Sequence, residues 1–172
     1  MKRLVKAAVL ALCLVMTLMS LPSEVKAETD IFLYIDEVCE QYNVSSSLVI
    51  AMAESESSLH YPEADNLWKS AKAKNGTCTG LLQVSAKWHK ARMEKLGATD
   101  LTDPYDNILV AVDYLAELFE ELEDDALVLE TYNGDSRIWK TYESGWMSEY
   151  ATTILERAAE LDEERFGGPY GK

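Results

Sequence analysis

Histidine and cysteine are scarce in this chain, with two of the former and three of the latter among 172 residues. His60 and His89 have no partner at ligand distance along a helix, so a zinc site lacks its usual donors, and a Ser-His-Asp or Cys-His engine has little to build on. A glycine-rich phosphate loop is missing, so nucleotide chemistry has no motif here. Eight glycines and four prolines rule out collagen-like and low-complexity classes. Cations are short as well: 16 Lys and Arg face 30 Asp and Glu, for a net charge of −14. Such a surface repels phosphate backbones and excludes nucleic acid as a partner, and it also repels anionic wall polymers and lipids. No stretch alternates polar and apolar residues with period two, so a sheet protein is excluded too. What remains for chemistry is carboxylates, with no metal and no cofactor expected.

Apolar content is high, at 48%, and much of it sits at the front. Lys2, Arg3 and Lys6 precede an uncharged run from Ala7 to Leu21, followed by Pro22, Ser23 and the small-residue pattern Val25-Lys26-Ala27. This order reads as a secretory signal cleaved after Ala27. The run is also shorter than the ~20 residues a bilayer span needs. The expected organisation is a leader at 1–27, one domain at 28–166 and a frayed tail at 167–172, placing the protein outside the cell or in its envelope. Loss of the leader removes four cations and only Glu24 among the acids, so the mature chain is more acidic still. Cys39 and Cys78 then allow one bridge in an oxidising compartment, while a buried thiol at Cys39, on the face of Phe32, Ile35 and Tyr42, is equally ordinary.

Beyond Ala27 the period is helical almost throughout. Ile31 to Tyr42 forms an amphipathic helix. Ser45 or Ser46 opens a second that runs to about Ser57 and is apolar on most sides through Leu48, Val49, Met52 and Ala53. Leu59 to Gly80 is irregular and carries Lys69, Lys72 and Lys74. A third helix is expected from Ser85 to Gly97, with Trp88 in its middle as a core residue. Asp103-Pro104 is an N-cap followed by proline at the first helical position. The stripe Ile108, Val112, Leu115, Phe119 and Leu122 continues from it. Ala126 to Tyr132 is a short helix stopped by Asn133-Gly134. An irregular segment beside Tyr132-Asn133 carries Trp139 and Trp146 as candidate sugar platforms, Gly145 separates it from the last helix, and that helix turns Tyr150, Ile154, Ala158 and Leu161 inward. The fold class is all-α.

Two acids stand out, Glu54 and Glu56, at the end of an otherwise apolar helix. Residues two apart point about 200° from each other around a helix, so they are not a paired dyad. One carboxyl can lie against the core edge, where desolvation would keep it protonated and fit it as a general acid, while the other faces solvent.

The segment Leu48-Val49-Ile50-Ala51-Met52-Ala53-Glu54-Ser55-Glu56-Ser57 resembles the catalytic helix of the soluble lytic transglycosylase (SLT) family, relatives of goose-type lysozyme. Gly80-Leu81-Leu82-Gln83-Val84 is similar to that family's Gly-Leu-Met-Gln motif. Asp103-Pro104, Asn107-Ile108 and Tyr114-Leu115 resemble its Asp-Pro…Asn-Ile…Tyr-Leu helix. Tyr132-Asn133 matches its Tyr-Asn pair, and Tyr150 matches a tyrosine of the final helix. The resemblance implies a lysozyme-like helical domain that cleaves the β-1,4 bond between N-acetylmuramic acid and N-acetylglucosamine in peptidoglycan. It implies Glu56 as the catalytic acid and then base, with Ser57, Gln83, Tyr132, Asn133 and Tyr150 as substrate contacts. Tyr132 is expected to reach the reacting centre with its hydroxyl, and Tyr150 is more exposed to a purely packing role.

A hydrolytic muramidase and an inactive wall-binding module are the alternatives. The former needs a second acid holding water, and Glu63 and Asp65 are the only acids between Glu56 and Gly80. This chain departs from the family pattern in its long Glu56-to-Gly80 spacer, in Thr77-Cys78-Thr79, in Gly134-Asp135 after the Tyr-Asn pair, and in Trp146, where relatives often place Glu. A monomer is expected. Its small size, with no separate wall-binding segment, fits work beside a secretion or conjugation assembly of the envelope.

Overall fold

The computed structural model describes residues 30–57, 78–134 and 137–167, the side chains of Trp139 and Tyr142 excepted. The leader, most of the Leu59–Gly80 stretch with His60, Glu63, Asp65, Trp68 and the three lysines, and the tail after Gly167 lie outside the described residues. Among the described residues the fold is all-α, with seven helices and one isolated antiparallel bridge, Thr79 to Val84. The helices are α1 (Ile31–Tyr42), α2 (Ser46–Ser57), α3 (Lys90–Leu96), α4 (Pro104–Glu121), α5 (Asp125–Asn133), α6 (Ile138–Ser144) and α7 (Glu149–Phe166). None of them is long and apolar enough to cross a membrane.

Helix α2 is the centre of the molecule because it has no polar face to show to water. All seven residues from Ser47 to Ala53 are buried, and Val49, Met52 and Ala53 are completely so. A helix apolar on every side must be enclosed by others. Helix α7 covers one flank and α1 another, while α4 lies against α1 and α5 touches α4, α6 and α7. Ile108, Val112 and Leu115 of α4 and Ile154 of α7 are fully buried in the same core. Burying a side chain of this kind contributes about 1.5–3 kcal/mol, so the cluster is the main source of stability.

Caps set where these helices begin. Asp103, in extended conformation, accepts from the Tyr105 and Asp106 amides at 2.8 and 3.3 Å, and Pro104 follows at the first helical position. Asp124 accepts from Leu127 N at 2.9 Å and opens α5. Ser148 accepts from Ala151 N at 3.1 Å and opens α7. Each such side chain satisfies donors the helix cannot satisfy itself.

Two segments differ from the sequence expectation. The third helix starts at Lys90 rather than Ser85, and residues 86–89 form turns in which the Trp88 and His89 amides both donate to Ser85 O. His89 leaves helical geometry, with φ −104° and ψ 18°, where its ring packs on Tyr114 at 4.6 Å. Trp88 is therefore not core: it is 77% exposed. The segment before Gly145 is regular, since Ile138–Ser144 is helical and Gly145 closes it in left-handed conformation. Cys39 is buried in α1, where desolvation pushes its thiol up to about 12, and it forms no disulfide with Cys78.

The loop 79–84 depends on one buried side chain. Asn107, at 0% exposure on α4, donates to Thr79 O (2.8 Å) and Leu101 O (2.9 Å) and accepts from Leu82 N (2.8 Å). Gly80 passes directly over it with φ +80°, and a Cβ there would overlap both the Asn107 amide and the Leu101 carbonyl. Gly80→Ala combines a left-handed backbone with that overlap and is expected to cost about 3 kcal/mol of stability. A urea unfolding curve measures it; an unchanged midpoint would remove Asn107 and Gly80 from this role.

Candidate active site

The two unusual acids of α2 part company, as their angular separation requires. Glu54 pairs with Arg157 of α7, whose Nε donates to Oε2 at 2.8 Å and Nη2 to Oε1 at 3.3 Å. That hydrogen bond is the main reason the Arg157 pKa is raised, and Glu160 and Glu164 add to it. Glu56 lies on the other side, half-buried, at the wall of a cavity of about 270 Å³. Ser55, Glu56, Cys78, Gln83, Tyr132, Asn133 and Tyr150 line that cavity. The hydroxyl of Tyr150, the second residue of α7, donates to Glu56 Oε1 at 2.8 Å.

Five of the six residues expected at the site thus meet around one space, and the sixth does not. Ser57 turns its hydroxyl back along α2 to donate to Ala53 O at 2.8 Å and is not part of the lining. A serine at a helix end commonly does this, since the carbonyl four residues earlier is its nearest acceptor. Ser55 and Cys78 take wall positions that the sequence reading did not assign. The signal for Ser55 was its place between the two acids; for Cys78 it was proximity to Gly80.

The two tyrosines exchange their expected parts. Tyr132 spends its hydroxyl on the Leu82 carbonyl at 2.8 Å, so it ties α5 to the loop rather than reaching the reacting centre. Tyr150, expected to be the packing residue, holds the carboxyl. Burial raises both phenols, Tyr132 well above its ordinary value, and the Glu56 charge is the next cause for each. Both rings stay protonated at neutral pH, so Tyr150 remains a hydrogen-bond donor to Glu56.

Gln83 reaches the wall through an uncommon backbone. Its φ is +50°, a left-handed conformation that costs a non-glycine residue about 1–2 kcal/mol. The bridge between Thr79 and Val84, with N–O distances of 2.8 and 2.9 Å, closes the loop around it, and Gln83 Nε2 donates to Gly80 O at 2.8 Å. Strain of this kind persists where surrounding bonds over-determine the conformation, as Asn107 does here.

A second cavity of about 490 Å³ adjoins the first and shares Cys78, Gln83, Tyr132 and Asn133 with it. Trp88, His89 and Tyr114 lie on its far side, and Tyr114 stacks obliquely on Tyr132 at 5.6 Å. Arg92, whose guanidinium sits over Tyr114 at 5.1 Å, is bound to Asp113 and Glu117. Burial and the Arg92 charge lower the His89 pKa, so its imidazole is neutral at pH 7. The combined trough offers two carboxyls, Glu56 in the first cavity and the Arg92-bound Glu117 in the second, together with amides, hydroxyls and aromatic faces. Among the described residues no group of three or more His, Cys, Asp or Glu could hold a metal ion.

A family model described as Transglycosylase SLT domain matches residues 33–150. No curated protein and no solved structure matches the chain.

The raised phenols have a measurable consequence. Below pH ~10, the ordinary tyrosine pKa, folded and unfolded states carry the same protons on Tyr132 and Tyr150. Above it the unfolded chain ionises first, so the stability these burials contribute is lost as pH rises toward the folded values. Urea unfolding between pH 9 and 11 is expected to show that decline. In Tyr150→Phe it should be shallower by up to about 1.4 kcal/mol per pH unit. An equal slope in the variant would contradict the burial of this hydroxyl.

Proposed function

From the premise that the chain belongs to the transglycosylase SLT domain family, whose domain acts on peptidoglycan, we propose that it is a lytic transglycosylase with Glu56 as its single catalytic carboxyl. The observation that carries this reading is the position of Glu56. It lies in the last turn of a helix whose residues 47–53 are buried, bears on a cavity of sugar-ring scale, and is gripped at one oxygen by Tyr150 at 2.8 Å. A carboxyl so placed is within reach of a sugar bound in the cavity, which is the first requirement of a general acid.

The reaction then runs in two steps on one group. The Glu56 proton passes to the glycosidic oxygen as its bond to the muramic anomeric carbon breaks. The resulting carboxylate, stabilised by the Tyr150 hydroxyl, takes the proton from the muramic 6-hydroxyl as that oxygen bonds to the anomeric carbon. The proton count closes on Glu56, no water is consumed, and the product carries a 1,6-anhydro ring. An inverting hydrolase instead needs a second carboxylate about 6.5–9.5 Å away to hold water. Among the described residues lining the cavity, Glu56 is the one acid, which supports the single-carboxyl route. Gln83 and Asn133 present amides to N-acetyl and hydroxyl groups, and the rings of Tyr132 and Tyr150 wall the sugar.

The substrate lies outside the cytoplasmic membrane, and the leader-like first 27 residues supply a route there. Work within the envelope, as a monomer beside a secretion or conjugation assembly, completes the proposal.

Digestion of purified peptidoglycan followed by mass analysis of the muropeptides tests the reaction. Anhydro products, lighter by one water than hydrolytic ones, are expected; reducing ends would instead establish a muramidase. Glu56→Gln should lower turnover by at least about 10³-fold while leaving the fold intact. Glu54→Gln lies off the cavity and keeps an oxygen that accepts from Arg157, so the α2–α7 register holds and activity should stay within about threefold. A Glu54 variant as inactive as the Glu56 variant would overturn the assignment, as would unchanged muropeptide release by Glu56→Gln.

A further inference from the structure

Helix α5 carries an acid that the reaction above does not use. Glu130 is at 0% exposure, within an otherwise apolar run. Its Oε1 accepts from the backbone N–H of Ser148 at 2.8 Å, while Oε2 is buried with no hydrogen-bond partner. A buried carboxylate with an unsatisfied oxygen costs stability, and an apolar side chain of similar volume would pack there more cheaply. Core packing alone therefore does not account for the group, which points to its one bond.

That bond falls at a sensitive place. Ser148 is the N-cap of α7, and its own hydroxyl accepts from Ala151 N. Its amide lies outside the helix and would be unsatisfied without Glu130, because Ser148 is only 4% exposed. Two residues further on stands Tyr150, whose hydroxyl holds Glu56. Two and three residues beyond Glu130 on α5 stand Tyr132 and Asn133, which form another part of the cavity wall. One side chain thus pins the start of α7 to the helix that supplies the facing wall.

We propose that Glu130 is a positioning residue for the reaction, a strut that fixes the first turn of α7 and so sets the Tyr150 hydroxyl on Glu56. This rests on the catalytic reading of Glu56. Burial and the Glu56 charge are the larger causes of the raised Tyr150 phenol, but Glu130 also contributes, in keeping with its closeness. The strut works through geometry, by accepting one hydrogen bond, and touches neither substrate nor reacting atoms.

The test uses the full chain on purified peptidoglycan, with turnover at saturation and the half-saturating concentration measured separately. Glu130→Gln keeps an oxygen that accepts from Ser148 N and should stay within about threefold of wild type. Glu130→Leu removes the acceptor. It should lower turnover about 30-fold with the half-saturating concentration unchanged, since small misplacements of a catalytic hydrogen bond act on the rate. In a Tyr150→Phe background the Leu substitution should add no further loss, which a merely structural role would not produce. Ser148→Pro removes the N–H from the other partner at a φ of −71° that proline adopts, and is read against Ser148→Ala, which removes only the capping hydroxyl. It should slow turnover to a similar extent, and it decides the matter should Glu130→Leu not fold. Wild-type turnover in either folded variant, full additivity with Tyr150→Phe, or a Glu130→Gln variant as slow as Glu130→Leu would overturn the strut. The catalytic reading fails separately, through an active Glu56→Gln.

Discussion

One hydrogen bond, from the Tyr150 hydroxyl to Glu56 Oε1, joins residues 94 positions apart and sets the requirements for everything around it. For Glu56 to stand where it does, α2 must be held along its length, and its unbroken apolar circumference achieves that by demanding cover on every side. For Tyr150 to meet it, α7 must pack along α2 in a definite register. Arg157, two turns further along α7, binds Glu54 of the same α2 and locks that register from the opposite face. The Glu54–Arg157 pair and the Glu56–Tyr150 pair are consequences of the same helix packing, separated by the angle between positions two apart on α2.

The opposite wall of the trough is assembled by a different device. A six-residue loop, 79–84, carries Gln83 and forms no helix, so its backbone groups need partners from elsewhere. Asn107 supplies three hydrogen bonds from inside the core, Tyr132 clasps the Leu82 carbonyl, and the Thr79–Val84 bridge closes the ends. Leu81 and Leu82 point into the core and anchor the segment. The left-handed backbone at Gln83 is stable because these bonds leave no relaxed alternative.

Elements with strong periodicity were legible before any coordinates: α1, α2 and α4 with its Asp103 cap, the short helix ended at Gly134, and the divergence of Glu54 from Glu56. Legibility failed where a tertiary contact overrode local preference. His89 leaves helical angles to pack on Tyr114, which shortens α3 and puts Trp88 in solvent. The choice between Tyr132 and Tyr150 as partner of Glu56 depends on where two helices end in space, and spacing along the chain carries no such information. Glu130 gave the same signal as Glu56, an acid in an apolar run, yet Glu130 is enclosed while Glu56 meets a cavity. Only the packing around each separates an enclosed acid from one that lines a cavity.

Charge complicates the encounter with a wall polymer and explains the character of the trough. A net charge of −14 opposes anionic partners at long range, but that field is screened beyond ~8 Å at physiological ionic strength. Inside the trough the local balance differs from the surface. Arg92 is bound by Asp113 and Glu117, His89 is held neutral, and the walls are amides, hydroxyls and aromatic rings. Such groups recognise uncharged sugars at contact distance and gain little from steering. A trough walled mainly by uncharged groups on an acidic body suits the glycan strand itself better than its charged substituents, and Glu56 is the one carboxyl among the described residues that line the first cavity.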